Sequence, residues 1–124
     1  MADLTFSISQ RNLVWHSKGL SWIAVSGPYG LKALPVGIYD IKRREVTTYS
    51  SAIGNSFKDK SGNGFFLPIS PRFKTTRTGL GIHPDGGIPG TLGCIGLQDH
   101  NTENFYRTIE SISPSSSITL EVKI

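Results

Sequence analysis

Apolar and polar residues alternate along Leu4-Thr5-Phe6-Ser7-Ile8, as they do in a strand with one face in a core. Asn12-Leu13-Val14-Trp15-His16 repeats the pattern, Ser17-Lys18-Gly19 reads as a turn, and Ser21-Trp22-Ile23-Ala24-Val25 returns as the second arm of a hairpin. Ser26 to Lys32 reads as a loop, and Gly37-Ile38-Tyr39-Asp40-Ile41-Lys42 alternates again. Residues 43 to 63 are polar and rich in Gly and Ser, which predicts a long loop or a ragged hairpin. Gly64-Phe65-Phe66-Leu67-Pro68-Ile69 reads as a strand whose proline favours an edge or a bulge. The clearest helical spacing is Phe105, Tyr106, Ile109 and Ile112, capped by Asp99 or Asn101, with Glu103 in the first turn and Pro114 as its stop. Ile118 to Ile124 alternates as a last strand. No repeat and no internal boundary interrupts residues 1–124, so the expectation is one mostly β domain, a sandwich or barrel with one short C-terminal helix.

Composition narrows the function classes. The 124 residues are 37% hydrophobic and 18% charged, which suits a folded domain and not a disordered chain. The net charge of +4 favours an anionic partner, such as a wall polymer, or simply a solvated surface. The longest basic run is Lys42-Arg43-Arg44, too short to point to nucleic acid. No apolar stretch is long enough to insert in a membrane, and the opening Met1-Ala2-Asp3-Leu4 does not resemble a secretory signal. A single cysteine allows no internal disulfide.

That cysteine lies in the most unusual part of the chain. Seven of the fourteen glycines fall between Gly79 and Gly96. A cysteine nucleophile needs a base or a positive neighbour, because the thiolate is the reactive form. It also needs backbone N–H groups near the developing oxyanion, and flanking glycines let a substrate approach the main chain. Cys94 stands between Gly93 and Gly96, and His83, at the end of a strand, precedes it by eleven residues. Singly, each feature has a plain structural reading: a buried core cysteine, a structural histidine, a glycine turn. Their coincidence within the seventeen residues 81–97 favours catalysis. The histidines and Cys94 show no metal-ligand spacing, so neither a metal nor another cofactor is expected. No lysine closes the Gly-rich turn as in a phosphate loop, and no GxSxG elbow is present.

His83 followed by Thr91-Leu92-Gly93-Cys94 resembles the L,D-transpeptidase (YkuD-like) catalytic domain, which carries a strand histidine and then Ser/Thr-x-Gly-Cys. Pro35-Val36-Gly37-Ile38-Tyr39-Asp40-Ile41 is similar to a second family segment, and the Ile8–Trp15 region to its first hairpin. The resemblance extends over nearly the whole chain. Many family members carry Arg or Asn two residues after the nucleophile, where this chain has Gly96.

The resemblance implies a YkuD-like fold and an enzyme acting on peptidoglycan stem peptides. Cys94 would attack the carbonyl of the L-centre of meso-diaminopimelate, and D-alanine would leave. His83 would be the base, with N–H groups around Gly93 and Cys94 as the oxyanion site. Thr91 is an orienting residue or a turn hydroxyl, and Asp85 orients His83 or serves a turn. Arg72, Lys74 and Arg77 either meet the stem's carboxylates or belong to a solvated loop. An amine acceptor would give transpeptidation or D-amino acid exchange; water would give L,D-carboxypeptidase activity. Stand-alone forms resemble type VI secretion effectors, made in the cytoplasm, acting in a target's periplasm and matched by an immunity protein, and also phage lytic proteins. The alternatives are a non-catalytic wall or virion binding module, or a different cysteine peptidase. Papain-like enzymes place Cys before His in the chain, opposite to the order here.

Overall fold

In a computed structural model, which describes residues 2–27, 33–86 and 93–124, the strands among these residues join in one sheet. They are β1 (Leu4–Ser7), β2 (Asn12–Trp15), β3 (Leu20–Val25), β4 (Gly37–Lys42), β5 (Leu67–Pro68), β6 (Ser70–Pro71), β7 (Gly81–Pro84), β8 (Ile95–Leu97) and β9 (Ser117–Lys123). The order across the sheet is β5-β7-β8-β3-β2-β1-β9-β4-β6. Short turns of 3₁₀ helix cover His16–Lys18, Arg43–Glu45 and Asn55–Phe57, and one α-helix, α1, spans Glu103–Glu110.

The alternation seen in the sequence becomes aligned rows on the inner face. Trp22 pairs with Leu13, Leu13 with Phe6, Phe6 with Val122, and Val122 with Gly37. The next row runs through Trp15, Leu4, Leu120 and Tyr39. All of these side chains are buried. A slip of one residue would turn each row to water, so burial fixes the register. The first row ends at Gly37, which has φ 142° and no side chain to contribute. Phe73 fills the place: a Cβ on Gly37 would lie 2.5 Å from its ring.

The sheet nearly closes on itself. β5 pairs with β7 and β6 with β4, and only Ile69 separates β5 from β6. The Ile69 N–H bonds to Leu80 and the Arg72 N–H to Ile38, so one extended segment ties the two ends of the sheet together. This segment is why the expected strand at residues 64–69 is broken up. Within it only Leu67 and Pro68 pair with β7, while Gly64 makes isolated bridges to Ser50 and Lys58. Prolines at positions 68 and 71 fit such a seam, where fewer ladder donors are needed.

The helix is shorter than its stripe suggests. It buries Phe105, Tyr106 and Ile109 but ends at Glu110, so Ile112 packs from beyond its end and Pro114 lies outside it. Phe105 meets Trp22 edge-on at 4.9 Å and stacks on Phe65 at 5.8 Å. Asn101 caps the start by accepting the Glu103 N–H at 2.8 Å. Among the described residues no helix is long and apolar enough to cross a membrane. The predicted loop at residues 26–32 lies largely outside the described residues.

Candidate active site

β7 and β8 are parallel neighbours, with Ile82 opposite Ile95 and His83 opposite Gly96. Ile82, Ile95 and Leu97 face the core. Side chains alternate along a strand, so Gly81, His83, Cys94 and Gly96 share the other face. The same register brings Gly81 beside Cys94, and the Gly81 N–H reaches the Cys94 sulfur. Diagonal neighbours on a sheet face lie about 7–8 Å apart, which an imidazole and a thiol can bridge. The register thus sets His83 diagonally across two adjacent strands from Cys94, which lies just before β8.

Cys94 is half-buried, and its Sγ lies 3.5 Å from the Gly79 carbonyl, to which the thiol donates. Burial pushes the thiol up from its ordinary value of 9.0, and the Gly81 N–H and the charge of Arg77 offset part of that rise. Gly93, buried, takes φ 111° immediately before Cys94, a conformation that favours glycine.

His83 is 5% exposed although it points away from the core. Phe57 packs edge-on against its ring at 4.8 Å, and Phe66 lies nearly parallel to it at 6.1 Å. The bare Gly81 makes room for Phe66, since a Cβ there would collide with its ring. The His83 Nδ1 is 2.6 Å from the Pro84 carbonyl oxygen. A carbonyl can only accept, so Nδ1 carries the proton and the neutral ring presents a bare Nε2. Burial pulls His83 below 6.5, while the Pro84 carbonyl and the Asp85 charge push back. At neutral pH the resting pair is thus a thiol and a neutral imidazole.

Asp85 closes the strand pair. Its N–H bonds to Leu97 at 2.8 Å, and its carboxylate accepts the Gln98 Nε2 at 3.0 Å, which also donates to Gly96. Arg77 donates from Nη1 to the Ala33 carbonyl at 3.4 Å. Arg72 is held by both oxygens of Asp40, at 2.6–3.0 Å, and keeps that carboxyl below its usual range. Lys74 is exposed. Thr91 lies outside the described residues. Among the described residues no group of three His, Cys, Asp or Glu side chains is arranged to hold a metal.

Three residues around this site escape a reading of the sequence. Phe57 and Phe66 come from a polar loop and a presumed strand, and only the fold brings them to His83. Asp59, 4% exposed, is the third. Its Oδ2 accepts the Thr102 N–H at 2.8 Å, the Thr102 hydroxyl at 2.9 Å and the Tyr49 hydroxyl at 2.7 Å. Its Oδ1 accepts the Ser61 N–H at 2.9 Å and the Ser61 hydroxyl. Burial raises this carboxyl, but the donors from Ser61, Thr102 and Tyr49 outweigh it and the net shift is downward. The loop is also fastened to the histidine strand. The Lys58 carbonyl accepts the Gly86 N–H at 2.9 Å, and a Cβ on Gly86 would collide with Asp59. Asp59 thus links the start of α1, through the loop, to the end of the strand carrying His83. The only local hint was an acid between lysines in a Gly/Ser-rich loop.

Comparison with solved structures gives L,D-transpeptidase 1 of Mycobacterium tuberculosis, with a TM-score of 0.52 and 18% sequence identity. The likeness covers 98% of this chain and 58% of that one, so the chain spans little more than half the length of that protein. At that identity the two share a fold, and the mostly β, YkuD-like architecture expected from the sequence is the one observed. At the level of sequence no protein-family model matches, and no curated protein does.

Proposed function

We propose that this protein is a cysteine-dependent L,D-carboxypeptidase or L,D-transpeptidase of peptidoglycan. Cys94 attacks the carbonyl of the L-centre of meso-diaminopimelate in a tetrapeptide stem. The single supporting observation is the His83–Cys94 pair on one face of β7–β8, with Nδ1 fastened to Pro84 and Nε2 left as the base. As sulfur bonds to the carbonyl carbon, the thiol proton passes to Nε2. The tetrahedral intermediate collapses, the C–N bond breaks, and His83 returns the proton to the departing D-alanine amine. The thioester then passes its acyl group to water or to a D-amino acid. A neutral resting pair suits this route, because the proton moves as the attack proceeds.

The test is mass spectrometry of disaccharide-tetrapeptide incubated with the reduced protein, with Cys94→Ala beside it. Loss of D-alanine, or its exchange for an added D-amino acid, in the wild type alone supports the reading. An unchanged tetrapeptide sinks it. The effector role, with a rival's periplasm as site of action and an immunity protein as partner, is part of the same proposal. Its test is directed expression in a Gram-negative host: lysis only on export to the periplasm, and only with Cys94 intact. Equal harm from both forms, or none, removes the effector role.

A second reading has one observation in its favour. Burial raises the Cys94 thiol, as in an unreactive cysteine, which would suit a binding module that keeps the fold without turnover. Pulldown of purified sacculi together with an unchanged tetrapeptide would select it.

A further inference from the structure

A groove of about 540 Å³ is lined by Pro71, Phe73, Lys74, Thr75, Thr76 and Arg77. Two of these carry positive charge, two carry hydroxyls, and none is acidic. Its wall is firmly built. The Phe73 ring occupies the space above Gly37 and meets Tyr39 edge-on at 5.3 Å. The Thr75 hydroxyl accepts the Arg77 N–H at 3.1 Å, and the Arg77 guanidinium reaches the Ala33 carbonyl.

The groove adjoins the nucleophile along the chain. Arg77 is followed two residues later by Gly79, whose carbonyl lies 3.5 Å from the Cys94 sulfur. Two residues of extended chain span no more than about 7 Å. The three cations upstream of the histidine strand are thereby divided. Arg72 is held by Asp40 on the surface, while Lys74 and Arg77 line the groove, and the Arg77 charge acts on the thiol.

We propose that this groove is the subsite for the free α-carboxylate of the leaving amino acid, with Arg77 as its ligand and Lys74 attracting it from the rim. The inference rests on the acyl-transfer reading of Cys94 and specifies its substrate. In a peptide whose last bond is attacked, the terminal carboxylate follows the scissile carbonyl by one residue, about 3.8 Å of chain. A guanidinium whose charge acts on the thiol would distinguish a chain end from an internal bond. The enzyme is then exo-acting: it accepts stems ending one residue past the attacked carbonyl, and rejects stems whose terminal carboxylate is amidated.

Two alkylating agents test the groove without any peptide. Iodoacetate and iodoacetamide attack the same sulfur and differ in a carboxylate, so the ratio of their rates cancels any change in thiolate content. The wild type is expected to favour iodoacetate relative to a free thiol, and Arg77→Gln to lower the ratio by about fivefold, as loss of one partly screened charge pair would. Arg77→Lys should retain part of the preference, and salt should erode it. A ratio that is unchanged in Arg77→Gln overturns the subsite. Tetrapeptide and its C-terminal amide are then compared. Turnover of both at equal rates overturns the subsite and leaves the acyl-transfer reading standing. A carboxylate preference in alkylation with no turnover of either peptide keeps the anion site and removes the peptidoglycan reading.

Discussion

His83 stands opposite Gly96 across the parallel ladder of β7 and β8. Gly96 shares its face with Cys94, so the space between His83 and Cys94 is bordered by a residue with no side chain. Cross-strand Cβ atoms lie about 5 Å apart, and a branched side chain at position 96 would enter that space. Gly96→Val is expected to lower kcat/KM on tetrapeptide by about tenfold or more, near the low end of what misplacing a catalytic base costs. Circular dichroism would confirm that the sheet is retained. Unaltered kcat/KM in the folded variant would show that this space is not used.

On the proposed route, the effect of removing His83 should be less complete than that of removing Cys94. Cys94→Ala is expected to abolish turnover, and His83→Gln to lower it by about a hundred- to ten-thousand-fold. Single-turnover assays measure both. The residual rate of the glutamine variant should rise with pH, as thiolate forms without help.

Phe57 and Phe66 hold His83 out of water, and burial is the largest cause of its lowered pKa. The acid limb of kcat/KM is therefore expected below 6.5, and the thiol's own limb above 9.0. Phe66→Ala hydrates the ring, so the acid limb should move up toward 6.5. A pH–rate profile reads the shift directly. A merely structural role for Phe66 would lower the rate without moving the limb.

Asp59 joins the loop to α1 through hydrogen bonds to its carboxylate. Asp59→Ala leaves the Thr102 and Tyr49 donors unmatched and is expected to cost about 2–4 kcal/mol, seen as a lower denaturant midpoint. The folded pKa lies below the ordinary value of 3.8, so this contribution is fully present above that value. It is lost as pH falls through the lower, folded pKa. Acid titration of stability should show a steeper fall below pH 3.8 in the wild type than in the variant.

The Arg72–Asp40 pair has good geometry but lies at the surface, with 54% and 34% of the two side chains exposed. Arg72→Ala is expected to leave the thermal unfolding midpoint nearly unchanged, because solvent screens the pair. A clear fall in the midpoint would mean that the pair secures the β4–β6 seam.

Local pattern was enough for the strands with one wet face. β1 to β4 and β9 alternate because each has a side in the core, and the helix shows its stripe for the same reason. The sequence also singled out His83 and Cys94, since glycine density around the lone cysteine is a local property. The parallel pairing that joins them was not legible. β8 has three residues, all buried, and a strand covered on both faces has no alternation to read. The aromatic cover of His83 was hidden as well, because Phe57 and Phe66 reach it only when residues 55–86 fold back on themselves. Asp59 lies in a stretch that reads only as a polar loop, and its role shows once Thr102, 43 residues away, donates to it. The sequence by itself determined which residues alternate, where most of the chain turns and which side chains are candidates for chemistry. The tertiary structure decided which of them meet, because burial and hydrogen bonding between distant segments leave no period in the chain.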